Sequence, residues 1–172
     1  FGIPSGDLIE QAHRRGIRVV ATATTVGEAA ALADAGVDAV IATGFEAGGH
    51  RVSFLRPPEE SLVGTFSLVP QVVDAVDVPV IAAGGIADRR GVAAAFALGA
   101  SAVQVGTAFL ATVESAANQA HRDAIRATPA DGTVLTRAMS GRLARGARNR
   151  AVRAIEASGT IAPFPICLLY TS

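Results

Sequence analysis

The sequence has one cysteine, one tyrosine, no tryptophan and no lysine among its 172 residues. A single thiol, Cys167, excludes an internal disulfide framework and a cysteine-based zinc site. Nothing here points to an oxidising compartment, and a cytoplasmic location is expected. There is no excess of either charge: the formal net charge is zero. A general nucleic-acid or anionic-membrane binder would carry a basic surplus, so neither partner is expected. Nor is there a long apolar run. The richest stretch, Val92 to Leu110, is broken by Gly99, Ser101, Gln104, Gly106 and Thr107, short of the roughly 18–20 residues that cross a bilayer. All fifteen basic residues are arginine, which we read as genomic base composition.

What is present is alanine, valine and glycine. Half of the residues are hydrophobic and only 17% are charged, a profile suited to strands buried on both faces of a parallel sheet. The length suits one domain of ordinary size. The chain opens at Phe1 without methionine. Its last seven residues, Ile166 to Ser172, differ in character from what precedes them. The expectation is a fragment: a domain over residues 1–165 whose start is missing, and a non-native tail over 166–172.

A helix-glycine-strand unit recurs. Asp7 to Arg15, Val26 to Ala35 and Arg90 to Leu98 read as helices closed by Gly16, Gly36 and Gly99. Glycine suits that position because it enters the left-handed region without a Cβ penalty. The strands expected after them are Ile17 to Thr22, Val37 to Ala42 and Ala100 to Val105. Between the second and third units lie a loop (Gly44 to Gly64), a helix (Ser67 to Val76) and a strand (Val78 to Ala83). Such alternation implies a parallel sheet; order alone leaves a barrel and a doubly wound open sheet equally open. After Leu110 the pattern reads as helices only: Thr112 to Ala127, then an Arg-rich Thr136 to Ala157 with turns.

Ligands of parallel α/β sheets collect at the carboxyl ends of the strands. Three such ends stand out: Thr43 to Arg51, Gly84-Gly85-Ile86-Ala87-Asp88, and Gly106-Thr107-Ala108-Phe109. Tight turns explain each glycine singly. Two glycine turns on neighbouring strand ends instead suggest one phosphate held by bare N–H groups, with the Thr107 hydroxyl as a further donor. His50 is the only histidine at a strand end; His13 and His121 fall within helices. A neutral imidazole accepts a proton near pH 7, as a general base must, and Gly48-Gly49 would let backbone lie against a flat ligand beside it. Glu46 could orient His50 or face solvent. The basic stretch Thr136 to Arg150 lacks the interleaved aromatics of a base-stacking surface. It reads as a solvated helical face, or as arginines pinning the last helices onto the rest of the fold. No metal constellation is visible.

Three stretches together resemble the nitronate monooxygenase (2-nitropropane dioxygenase) family: Gly44 to Arg51, Pro79 to Asp88 and Val103 to Phe109. The resemblance runs from Phe1 to Pro165. It implies an FMN-dependent (β/α)8 TIM barrel, of which this chain would hold the last four to five strands and the C-terminal helices. His50 matches the family's catalytic base. Gly48 and Gly49 match the backbone that meets the flavin, and Gly84, Gly85, Gln104, Val105, Gly106 and Thr107 match the FMN-binding turns. The implied reaction is oxidation of nitronates or nitroalkanes with O2, in a protein that could be a homo-oligomer. Two positions depart from the family pattern. Thr43 stands where many relatives have a flavin-contacting glutamine, and Val52-Ser53-Phe54 stands where Gly-Thr-Phe is frequent. An FMN-dependent enoyl-acyl-carrier reductase, or an NAD(P)H-dependent flavin oxidoreductase, shares the Gly-Gly-His loop and is the alternative. A non-catalytic fragment is a second.

Overall fold

The computed structural model describes residues 2–165; the expected non-native tail lies outside the described residues. The described residues form two compact units, one of residues 2–47 and 52–105, the other of residues 48–51 and 106–165.

The first unit contains α1 (Gly6–Arg14), β1 (Val20–Ala23), α2 (Val26–Asp34) and β2 (Ala39–Thr43). A 3-10 turn (Pro58–Glu60), α3 (Thr65–Val73), β4 (Val80–Ala83), α4 (Arg89–Ala97) and β5 (Ala102–Gln104) follow. β3 (Gly49–His50) belongs to the second unit. The four strands pair in parallel in the order β1-β2-β4-β5. Each joins the same side of its predecessor, with none of the reversal that marks a doubly wound sheet. This is the alternating α/β unit the sequence implies.

Local chemistry sets the ends of the helices. Ser5, Thr25 and Asp88 each accept a backbone N–H from the first turn they precede, satisfying donors that a helix start leaves over. Gly16, Gly36 and Gly99 follow α1, α2 and α4 with φ of +68°, +93° and +92°. Leu32, Leu68, Val69 and Val72 from α2 and α3 are fully buried with Val40, Ala42 and Ala82 of the sheet. Each large side chain so buried contributes about 1.5–3 kcal/mol, and the alanines let the helices come close. β1 starts three residues later than the sequence suggests. Asp38, just before β2, takes the Val19 N–H on its own carboxylate at 2.7 Å, so a side chain stands in for the ladder there.

The second unit corrects the helices-only expectation. It holds β3, α5 (Thr107–Leu110), α6 (Gln119–Ala127), β6 (Thr133–Thr136), β7 (Ala144–Ala147) and α7 (Arg150–Ala157). The strands form an antiparallel sheet in the order β3-β7-β6. Both hairpin strands are four residues long, too short to show alternation. β7 is Ala-Arg-Gly-Ala, whose Ala and Arg favour helix locally, whereas β6, Thr-Val-Leu-Thr, has strand-favouring residues and lies almost wholly between the two expected helices. The reversal lies at Ser140-Gly141, where Gly141 has φ +70°. A Cβ there would fall 2.5 Å from the Ala162 carbonyl, so the chain's last described residues pack against this turn. Arg142 completes the contact by lying 4.1 Å from the Phe164 ring centroid. α6 starts at Gln119, well after the expected Thr112, because Asn118 caps it through the His121 N–H.

Among the described residues, no helix is long and apolar enough to cross a membrane.

Candidate active site

In the first unit the candidate site lies at the carboxyl ends of β4 and β5. Their register pairs Ala83 with Gln104, so Gly84-Gly85 and Gln104-Val105 continue from neighbouring strands, side by side as the sequence suggests. Gly84 and Gly85 have φ of +107° and +71°. At Gly84 the backbone is also crowded: a Cβ would sit 2.8 Å from Thr65 Oγ1 and 3.1 Å from the Gly44 carbonyl. A glycine is therefore required twice over, by conformation and by space. Thr43, the departure from the family pattern, ends β2 and is buried.

Glu46 has a definite task. Its carboxylate accepts the Thr65 N–H at 3.0 Å and the Thr65 hydroxyl at 2.9 Å. It thus caps α3, whose own N-cap residue, Gly64, has no side chain to do so. The hydroxyl is also placed 2.9 Å from the Gly84 carbonyl. Thr65 joins the loop after β2 to the turn after β4, a role nothing in the local sequence announces.

A second carboxylate lies deeper. Glu28 is fully buried. It accepts the Thr24 N–H at 2.7 Å and the Thr24 hydroxyl at 2.6 Å on one oxygen. On the other it accepts the N–H groups of Phe54 at 2.6 Å and Leu55 at 3.1 Å. Burial opposes its ionisation, but these donors outweigh burial and hold the carboxyl below its ordinary range.

In the second unit, His50 pairs with Ala144 across β3 and β7. The pairing continues through the Arg51 N–H, which donates to the Leu143 carbonyl at 2.8 Å. His50 Nε2 lies 2.5 Å from Ser140 Oγ, and Ser140 Oγ lies 3.4 Å from the Arg142 carbonyl. Ser140 is buried and is not among the residues expected at the site, because its segment reads as helical from sequence; the signal for it is the Ser-Gly turn between two short apolar stretches. A cavity of about 230 Å³ opens beside the ring, walled by Thr136, Met139, Ser140, Ala144 and Val152.

The glycines of this unit divide by surroundings. A Cβ on Gly48 would fall 2.7 Å from Thr107 Oγ1, so those two predicted residues are neighbours. At Gly49 and Gly106 a Cβ would meet nothing within 4 Å; their bare backbone faces open space. The other two histidines lie elsewhere. His13 Nε2 is 2.8 Å from Asp38 Oδ2, near the start of β2, and His121 lies in the first turn of α6.

Residues 1–169 match a family model described as nitronate monooxygenase. A probable nitronate monooxygenase of Staphylococcus aureus (strain N315) is 51% identical over 168 residues, covering 96% of this chain and 47% of that protein. Among solved structures, a nitroalkane oxidase from Streptomyces ansochromogenes superposes with a TM-score of 0.88 at 44% identity, over 97% of this chain and 48% of that one. FabK from Thermotoga maritima superposes with a TM-score of 0.79 at 42% identity, over 91% and 47%. The chain spans about half the length of the curated relatives it matches.

Proposed function

From a chain that belongs to the nitronate monooxygenase family, we propose a protein that oxidises nitronates and nitroalkanes with O2, using FMN as cofactor and His50 as general base. The observation that carries this reading is the imidazole of His50, fixed by Ser140 at the edge of a cavity with apolar walls. The absence of reversal in the order β1-β2-β4-β5 supports these strands as consecutive members of a (β/α)8 barrel.

Each unit carries residues that fit contact with a flat, phosphate-bearing group. Gly84 and Gly85, with Gln104 and Val105, present strand-end backbone where a side chain has no room at Gly84. Gly49 and Gly106 expose bare backbone to open space, and Gly48 lies against the Thr107 hydroxyl. The flavin, when bound, supplies the electron acceptance and the reaction with O2.

The chain's own residues handle the proton. The α-carbon of a nitroalkane is acidic because the nitro group spreads the resulting charge. His50 takes that proton. In the imidazolium both ring nitrogens are donors, so Ser140 Oγ must then accept from Nε2–H. Its own proton can turn toward the Arg142 carbonyl, 3.4 Å away. With Nε2 engaged by Ser140, the proton is taken at Nδ1, so the neutral ring that acts as base already carries Nε2–H, and Ser140 accepts from it before and after the transfer and holds the ring plane throughout. Met139, Ala144 and Val152 leave apolar room for a short alkyl chain.

The test is His50→Asn in flavin-loaded protein, assayed aerobically on a neutral nitroalkane and on the pre-formed nitronate. The expected loss on the neutral substrate is on the order of 10²–10⁴-fold, with the nitronate affected far less. Equal turnover of the neutral substrate by variant and parent removes His50 as base. Anaerobic flavin bleaching by NADH or NADPH, without bleaching by nitronate, assigns the NAD(P)H-dependent reductase reading instead.

A further inference from the structure

The chain leaves the first unit after Ala47 and returns to it at Val52. His50 lies on that four-residue excursion, and each side of it meets a carboxylate. Before it, Glu46 is bound to Thr65. After it, the Phe54 and Leu55 N–H groups are held by the buried Glu28.

The hydrogen-bond directions at Glu28 follow from its chemistry. A carboxylate only accepts, so the Thr24 hydroxyl donates to Glu28 at 2.6 Å. That hydroxyl has spent its single proton, so at the 2.8 Å contact with Ser53 Oγ it accepts, and Ser53 donates. The chain Ser53 to Thr24 to Glu28 therefore runs one way. The carboxylate has one oxygen on the turn after β1 and the other on the residues just beyond His50.

We propose that Glu28, acting through Thr24, Ser53 and the Phe54 and Leu55 amides, is a positioning residue for His50. It fixes the segment into which the His50 strand runs, so that the ring is presented in one orientation. The role rests on the reading of His50 as base for its catalytic consequence, though not for its structural one. Glutamine cannot replace Glu28 fully: both carboxylate oxygens face donors, and an amide offers an acceptor on one side only.

The experiment is the rate of carbethoxylation of each histidine by diethyl pyrocarbonate, mapped by mass spectrometry on the purified chain, for the parent, Glu28→Gln, Ser53→Ala and Ser53→Thr. With Glu28→Gln the His50 rate is expected to rise severalfold, with His13 and His121 unchanged. Ser53→Ala gives a smaller rise and Ser53→Thr, which keeps the hydroxyl, none. Unchanged His50 labelling in folded Glu28→Gln overturns the proposal. If that variant does not fold, unchanged His50 labelling in Ser53→Ala does so. A second arm uses flavin-loaded protein. Glu28→Gln is expected to lose more kcat on a neutral nitroalkane, whose proton His50 must take, than on the nitronate, which has none to give. An equal loss on both substrates reduces Glu28 to a folding role and overturns the catalytic consequence. Absence of nitroalkane turnover in the parent defeats the proposed function and leaves the labelling result to decide the positioning role.

Discussion

The two units tie their irregular segments with groups of opposite kind. In the first, carboxylates accept backbone N–H groups: Glu28 from Thr24, Phe54 and Leu55, Asp38 from Val19, Glu46 from Thr65, and Asp88 from Arg90 and Gly91. In the second, guanidinium groups donate to carbonyls: Arg122 to Ser115, Arg126 to Ala111 and Arg137 to Gly141. Composition follows suit, with eleven of the fifteen carboxylates in the first unit and nine of the fifteen arginines in the second. The cause is architectural. At Thr65, Arg90 and Gly91 the N–H groups are those a helix start leaves over, which want anions; at Val19, Phe54 and Leu55 they belong to backbone outside helices and strands, which needs acceptors from side chains. A unit of short helices and a hairpin has long irregular stretches whose carbonyls want donors.

The largest effect that would sharpen this contrast comes from removing one tie of each kind. Glu28→Ala strands the buried N–H groups of Thr24, Phe54 and Leu55, each worth about 1–3 kcal/mol when left without a partner. A loss of about 3–5 kcal/mol is expected in urea unfolding. Arg126→Ala removes a bond to the Ala111 carbonyl, which is partly open to water; it should cost under about 1 kcal/mol. Similar losses for the two variants would break the comparison.

Acid should separate the units next. Glu28, Asp38 and Asp88 all have carboxyls held below their ordinary range. For Asp88 the Arg90 side chain is the main cause and brings it down to about 2, and for Asp38 the leading cause is the Val19 N–H. A depressed native value means stability that is complete above the unfolded pKa of about 4 and is lost as pH falls through the native value. Arginine donors do not titrate in that range. Hydrogen exchange followed from pH 6 downward should therefore show protection falling first at Val19, Thr24, Phe54 and Leu55. The hairpin of β6 and β7 should hold longer. Loss of protection at the hairpin first would reverse the contrast.

The same division explains what could be read from the sequence. The first unit was legible because its strands are short apolar runs and its helices end at Gly16, Gly36 and Gly99. Both are local signals, and they put Gly84-Gly85 beside Gln104-Val105 correctly. The tasks of Glu28 and Glu46 were not legible. Glu28 meets Thr24 four residues back, but its other partners, Phe54 and Leu55, and the Thr65 partner of Glu46 lie 19 to 27 residues away, and nothing local marks those pairings. In the second unit, His50 announced itself by the Gly-Gly-His loop, whereas Ser140 lies 90 residues from it. Of the antiparallel strands, β7 was hidden because Ala-Arg-Gly-Ala carries no period at all, β3 because it is only two residues long, and β6 because four residues without a recognised partner do not make a hairpin.

The smallest expected effect would transplant the first unit's habit into the second. Asn149 caps α7 by accepting the Val152 N–H at 2.9 Å, and Val152 is a buried wall of the cavity beside His50. Asn149→Ala should cost about 1 kcal/mol, the usual worth of a cap. Asn149→Asp keeps the acceptor and adds a negative charge at the positive end of the helix, a gain of about 0.3–1 kcal/mol at neutral pH. The gain has a sign that pH can expose. A carboxylate stabilised by the helix start is lost as it protonates, so the advantage of Asn149→Asp over the parent should vanish below about pH 4. Thermal melts of the parent and both variants at pH 7 and pH 3 measure this directly. If the advantage persists at pH 3, charge is not what distinguishes the caps of the two units, and the contrast between them reduces to geometry.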